Sequence, residues 1–400
     1  MITLKKLVLN TSIERAVFSL GILFPMLLFP FSPLLCFLLT IFILIFYTPF
    51  ISNLYRRALF FVGMLSLTYI FASRSYVDEL GADLTIYYNA FKIIKNNDNF
   101  LDIIFDFKIF GNGLEVGLIC LYKLYSILFN SVTPIDLSVY NIIVSGIGLI
   151  IWYEIYGIKN IPPTYRAVCV AFILSFLSVS TFGYLQRQSL ATVFILFALE
   201  MTKKRYTILF TILATFCHLT SFPIIMIWKF FLNKKLTISL FMKSAIIIVL
   251  LRFLFDSIIM LLFKVGFAKA LFYLEMIDST SIASVRFLIL IFLLLITNLI
   301  FFKDKSSKWK APITILSFFY IAFLGIPLFS ERISFVFLYL YGYFLFVTLY
   351  RQLFKPLIFL LIIYSFYFTL EKVNIIAMPM DAFWLRYPIF SFEPFYYLNY

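Results

Sequence analysis

The chain has 400 residues, of which 63% are hydrophobic and only 13% charged. No soluble core needs so large an apolar share, and continuous apolar runs near 18 residues exclude a β-barrel, whose short segments alternate. The net charge of +14 gathers in short loops. That is the positive-inside pattern of a membrane protein and not a nucleic-acid signal.

These features predict an all-α, polytopic integral membrane protein with about 11–14 transmembrane helices. Residues 1–400 are read as a single membrane domain. The 53 Phe and 26 Tyr suit lipid-facing and interfacial positions. The four cysteines, at 36, 120, 169 and 217, all lie in apolar runs without a CxxC pair, so no disulfide framework is expected. One His and no Cys–His cluster argue against structural zinc.

Lys5, Lys6 and Arg15 precede an apolar run with no small-residue cleavage site after it. An uncleaved first span, Val17 to Phe31, is expected. Leu34 to Phe50 is the second span, and Tyr55-Arg56-Arg57 marks the cytoplasm. Ala58 to Ala72 then crosses outward.

Residues 74–113 form the longest polar stretch, an outer loop carrying Arg74, Asp78, Glu79, Asp83, Asp98, Asp102 and Asp106. Within it, Asp83, Tyr87 and Phe91 share a face at i, i+4 spacing, which predicts an amphipathic helix at the surface. Asp83 is either a functional group near a helix start or a solvated capping Asp.

Leu114 to Phe129 reads as a span opened by Glu115, followed by Leu137 to Tyr156 and Ala167 to Phe182. Then comes Gly183-Tyr184-Leu185-Gln186-Arg187-Gln188-Ser189-Leu190-Ala191, an Arg between two amides where a membrane helix begins. Free N–H groups, the positive dipole end and a guanidinium make a site for a phosphate or diphosphate. The plainer reading is an Arg snorkelling to the interface. The helix runs to Glu200, and Lys203-Lys204-Arg205 marks the cytoplasm, so Arg187 faces out.

Tyr206 to Leu232 is broken by Pro223 and holds His218, the one His of the chain. His218 falls roughly 18 Å from the cytoplasmic end. An ionisable group at that depth is a functional residue or a neutral His bonded to a neighbouring helix. Thr237 to Val265 carries Arg252 and Asp256, an i, i+4 pair expected to be structural and mutually neutralising. Arg286 opens the span 287–302, which leads to the cytoplasmic lysines 303–310. Ile313 to Phe329 crosses outward, Glu331-Arg332 opens the return helix, and Pro356 to Leu370 leads to an outer aromatic tail, residues 372–400, with Phe383, Trp384 and Tyr387.

The span count conflicts with the loop charges. Three spans separate the 74–113 loop from Arg187, and two separate Lys203–Arg205 from Arg286, yet the charges demand even and odd numbers respectively. Each gap needs a re-entrant or split segment. Tyr206 to Leu232 and Thr237 to Val265 are long enough to split, and the 74–113 loop could dip into the membrane.

Several cations and carboxylates at one depth suit transfer from a diphosphate-linked donor. Cations stabilise the departing diphosphate, and a carboxylate or His takes the proton of an attacking hydroxyl. There is no G-x-x-x-x-G-K-[ST], no Asp-x-Asp pair and no patterned Ser or Cys nucleophile. The donor is therefore expected to be a lipid-linked diphosphate already in the bilayer.

In order along the chain, Arg74, Gly81-Ala82-Asp83, Tyr87, Glu115, Arg187-Gln188-Ser189-Leu190-Ala191, His218-Leu219-Thr220 and Glu331-Arg332 resemble the Wzy/EpsG family of polysaccharide repeat-unit polymerases, which includes O-antigen polymerases. The resemblance runs over roughly residues 70 to 340. It departs at Thr220, where Ser or Ala is expected. It implies an enzyme of the inner membrane with a GT-C-like outer-facing cavity, acting at the periplasmic side without metal, cofactor or nucleotide sugar. Such an enzyme transfers a growing glycan from undecaprenyl diphosphate to the non-reducing end of a new undecaprenyl-linked repeat, in lipopolysaccharide or exopolysaccharide synthesis.

The resemblance further implies catalytic roles for Asp83, His218 and Arg187. Asp83 or His218 would activate the acceptor, and Arg187 with Arg74 or Arg286 would grip the diphosphate. Asp78, Tyr87, Glu115, Gln188, Glu331 and Arg332 would bind substrate, and Tyr87 and Trp384 would stack on sugars. The expected partners are the undecaprenyl-diphosphate-linked oligosaccharide and the bilayer, with a chain-length regulator as a further candidate. The alternatives are a lipid-linked oligosaccharide flippase, whose cations would line a cavity through the whole depth, and a membrane O-acyltransferase, for which no acyl-donor motif is present.

Overall fold

In a computed structural model the chain is described at residues 21, 23–48, 51–74, 83–97, 99, 115–264, 285–300, 308–324, 326, 332, 335–350, 353–372 and 386–399. The described residues are helical and contain no strand. Among the described residues, three helices are long and apolar enough to cross a membrane by themselves: Asn53–Ala72, Pro134–Asn160 and Ile238–Leu261. This is a polytopic membrane protein, as the composition requires. The chain divides into two units, Met1–Tyr88 with Ser131–Tyr184 and Ile358–Tyr400, and Asn89–Asn130 with Leu185–Leu357.

The first unit holds α1 (Pro33–Phe46), α2 (Asn53–Ala72), the start of α3 (Asp83–Asn96), α5 (Pro134–Trp152), α6 (Arg166–Phe176), α7 (Val179–Tyr184) and most of α15 (Phe354–Lys372). Local chemistry sets the helix starts. Ser32 caps α1 by accepting from Leu35 N, with Pro33 at the first helical position. Thr133 and Asp136 form a capping box on α5, which satisfies two orphan N–H groups reciprocally. One end of the unit is basic, where Glu154 takes both Arg56 and Arg57. At the other end Ala72, Leu84, Ile135, Val139, Tyr387, Tyr396 and Tyr397 form one apolar cluster. Arg386 N donates to Ser73 O at 3.0 Å and Tyr397 OH to Phe29 O at 2.9 Å, so the aromatic tail closes this end.

Helix α4 (Val116–Leu128, 13 residues) is shorter than the run Leu114 to Phe129, and at about 20 Å it is also shorter than a ~30 Å hydrocarbon layer.

The second unit holds α4, α8 (Gln186–Glu200), α9 (Lys204–Cys217), α10 (Ser221–Leu232), α11 (Ile238–Lys264), α12 (Val285–Ile300), α13 (Lys310–Ala322) and α14 (Phe335–Leu349). Tyr206 to Leu232 does split. Lys229, near the end of α10, donates to Ala198 O at 3.2 Å, Met201 O at 3.3 Å and Thr207 Oγ1 at 2.9 Å. The chain has returned to where α9 began. Residues 204–232 are a re-entrant hairpin with His218 at its tip, while α11 is one unbroken helix of 27 residues. The hairpin adds no net crossing, which settles the second conflict. Lys308 pairs with Glu200, so the 308 loop shares the hairpin's basic end. Trp228 packs its ring against Trp309, Phe337 and Phe344 and holds α10 against α14.

Candidate functional site

Pro223 explains the hairpin tip. It lacks an N–H and its ring clashes with the carbonyl four residues back, so a helix cannot run from α9 into α10 unbroken. At the third position of α10 its missing N–H costs nothing. His218 ends α9 in extended backbone, φ −159°, ψ 122°, with its own N–H on Ala214 O at 2.9 Å. The break releases the Leu219 N–H from any helical partner.

Glu115, at the N-cap of α4, collects what the break and α8 present. Its Oε2 accepts from Arg187 Nη1 at 2.5 Å. Its Oε1 accepts from His218 Nδ1 at 2.7 Å and from Leu219 N at 3.1 Å. The carboxylate is 3% exposed and Arg187 29%. With Nδ1–H donating to Glu115, Nε2 of His218 carries the lone pair. It lies 3.2 Å from the Gln188 amide nitrogen, which donates to it. One buried carboxylate thus fixes a guanidinium and an imidazole and sets the imidazole tautomer.

Two further contacts hold this arrangement. Tyr122 OH donates to Gln186 Oε1 at 2.5 Å, and both residues are fully buried. This pins the first turn of α8 to α4. Gly117 lets α4 touch the hairpin, since a Cβ there would stand 2.5 Å from Cys217 Sγ and 3.2 Å from its Cα. Gly117→Ala is therefore expected to cost about 1–3 kcal/mol of stability through overpacking. Adding Cys217→Ala, which removes the nearest atom, should recover part of it. Thermal unfolding of the two purified variants checks this.

Glu115, Arg187, Gln188 and His218, each a candidate on its own in the sequence, meet in one hydrogen-bonded cluster. Arg332 is half-buried and close enough for its charge to act on His218. Arg74, Asp83 and Tyr87 belong to the other unit. Arg74 there lies 5.5 Å from the ring centroids of both Phe71 and Tyr184 and donates to Tyr184 OH at 3.0 Å. The predicted amphipathic helix exists, but it buries Leu84, Tyr87, Phe91 and Ile94 and leaves Asp83 exposed at its first position. Asp78, Glu331 and Trp384 lie outside the described residues, as does the side chain of Arg286, which stands in the first turn of α12.

Gln186, Tyr122, Gly117 and the Leu219 N–H also build the site, and sequence patterning does not point to them. Nothing in a row of apolar residues marks a tyrosine or a glycine for such a contact; only the amide beside Arg187 was visible. Thr220 Oγ1 and Ser221 Oγ, the hydroxyls beside His218, are buried without a hydrogen-bond partner among the described residues. Neither pairs with the imidazole, both of whose nitrogens are engaged elsewhere.

No curated protein and no solved structure matches this sequence. The match to a family extends over residues 57–388, from the basic start of α2 to the aromatic tail, and contains every residue of the cluster. The chain belongs to the EpsG family.

Proposed function

We propose that this protein is a membrane glycosyltransferase that joins lipid-linked oligosaccharide repeat units, with Glu115, Arg187 and His218 as its chemical centre. The EpsG family carries the coarser part, a polysaccharide polymerase of glycosyltransferase type. The observation that supports the finer part is the single buried carboxylate shared by Arg187 and His218.

In this reading the acceptor is the non-reducing hydroxyl of a new repeat on its lipid carrier. It attacks the anomeric carbon of the growing glycan as the bond to the diphosphate oxygen breaks. His218 Nε2 takes the hydroxyl proton, with the acceptor displacing the Gln188 amide, and Glu115 stabilises the imidazolium that results. Arg187 and Arg332 meet the charge that accumulates on undecaprenyl diphosphate. Arg187 stands in the first turn of α8, where free N–H groups add to that field. The donor arrives within the bilayer, consistent with a sequence that has no nucleotide-phosphate loop.

The cluster lies at the end of α8 and the hairpin opposite the lysines at 203, 204, 229, 234, 235 and 308. By the positive-inside rule that basic end is cytoplasmic and the centre faces the periplasmic or outer side. Polar groups gathered at one end favour catalysis over a flippase, which needs them along its whole path.

The test is a glycan ladder from cells lacking the gene, complemented with wild type or His218→Ala. Deletion should leave a single repeat on the carrier or surface anchor, and wild type should restore the ladder. His218→Ala should polymerise at about one hundredth of the wild-type rate or less. If deletion removes even the single surface repeat while its cytoplasmic precursor accumulates, the protein moves lipid-linked sugar and the proposal fails.

A further inference from the structure

The basic end of the second unit holds a cavity of about 580 Å³. The end of α8, the start of α9, the end of α10 and Lys308 enclose it. Small-ligand sites run from about 300 to 1,000 Å³. Three cations, Lys204, Lys229 and Lys308, line the cavity against one carboxylate, Glu200. Glu200 is turned inward, its side chain 7% exposed, and is paired with Lys308, whose side chain is 44% exposed. Lys229 directs its three N–H donors to Ala198 O, Met201 O and Thr207 Oγ1. Lys204 is exposed and makes no ion pair or hydrogen bond among the described residues. The lining therefore carries a surplus of two positive charges, and Lys204 with the remaining donors of Lys308 is open to an anion. Helix α9 adds to that field. Its N-cap, Lys203, supplies no side-chain acceptor, so the first N–H groups of a 14-residue helix are left for an outside acceptor.

The apolar groups around these charges indicate which anion fits. Leu199, Met201 and Leu232 give the cavity apolar walls. From Lys204, the residues Ile208, Ile212 and Phe216 follow at i, i+4 spacing on one face of α9, and all are exposed. A cationic site at the membrane surface thus heads an apolar stripe that runs toward the hairpin tip. That is the complement of an amphiphile with a negative head and a hydrocarbon tail. A soluble phosphate would match the charge and leave the stripe uncovered.

We propose that this cavity binds the headgroup of an anionic phospholipid from the adjacent leaflet, with its phosphate between Lys204 and Lys308 and an acyl chain along Ile208, Ile212 and Phe216. Basic pockets at the ends of membrane helices recognise lipid headgroups by this combination of charge and depth. The lipid ties α9 to the 308 segment at the base of the hairpin, the end opposite His218.

The test is native mass spectrometry of the full-length protein, purified in mild detergent and titrated with phosphatidylglycerol or phosphatidylcholine. Phosphatidylglycerol should be retained about tenfold more tightly than phosphatidylcholine. Lys204→Gln should weaken that retention about fivefold, and Lys204→Gln with Lys308→Gln about 25-fold. Lys204→Gln removes no internal contact, so its loss of lipid cannot be a loss of fold. Lys243→Gln, which removes an exposed charge of α11 outside the cavity, should retain the lipid as wild type does. Excess inorganic phosphate should not displace it. Equal retention of the two lipids, or retention insensitive to Lys204→Gln, would overturn the proposal. So would an equal loss in Lys243→Gln, which would make the effect one of overall charge. Displacement by inorganic phosphate would overturn it too, by assigning the cavity to a soluble anion. None of these readouts involves glycan transfer, so they stand or fall apart from the proposed reaction.

Discussion

Glu115→Gln is expected to lower chain growth by about a thousandfold. The amide keeps the shape of the carboxylate but offers one acceptor and one donor where Arg187, His218 and Leu219 all require acceptors. The NH2 group must then face either the guanidinium or the imidazole. If it faces His218, the imidazole loses the partner that fixes Nδ1–H, and Nε2 is no longer held as the base. If it faces Arg187, a part-buried cation loses its counter-charge. Breaking a buried pair on one side costs about 3 kcal/mol, so the unfolding temperature of the purified protein should fall as well. Glu115→Asp separates the two effects, since it keeps the charge and shortens the reach. Stability close to wild type with strongly reduced ladder length is the expected result for Glu115→Asp. A full ladder from Glu115→Gln would show that the shared carboxylate is a structural tie alone.

Arg187→Ala is expected to abolish long-chain product, with a loss of about 100- to 1000-fold, the worth of a donor aimed at developing charge. Folding should survive, because Glu115 keeps His218 and the Leu219 N–H as partners and the lost side chain is partly exposed. Arg187→Lys discriminates further. It retains the charge but not the planar fork that can serve a carboxylate and a phosphate together. The substituted ammonium would hold either Glu115 or the diphosphate, and activity should stay well below one tenth of wild type. The measurements are the glycan ladder and the amount of correctly inserted protein in the membrane fraction. Wild-type chain length from Arg187→Ala would remove Arg187 from the site.

The chemistry of the site was largely legible in the sequence and its assembly was not. Arg187 stood out because it interrupts an apolar run at a helix start. His218 stood out because it is unique and lies within the hydrocarbon, and Glu115 because it opens an apolar run. Each is conspicuous by contrast with neighbours that a bilayer demands be apolar. Sequence spacing could not say that residues 115, 187 and 218 meet, for the hydrogen bonds that join them span 72 and 103 positions. Asp83 shows the converse. Its spacing with Tyr87 and Phe91 put it on the helix face that is buried, yet at the first position it lies beyond the packed stripe and is exposed.

The sequence by itself determined that the chain lives in a membrane, that it is helical and where its basic loops lie, because a hydrocarbon solvent forces those patterns locally. It determined too that Tyr206 to Leu232 must break, because Pro223 cannot donate. Only the tertiary structure decided that this break is the tip of a hairpin that turns back. It alone decided that the helix after Glu115 is only 13 residues long. Apolar length counts residues, whereas a crossing depends on where the two ends are held. Lys229 on the carbonyls of Ala198 and Met201 fixes those ends for the hairpin, a contact between segments that composition and periodicity do not encode.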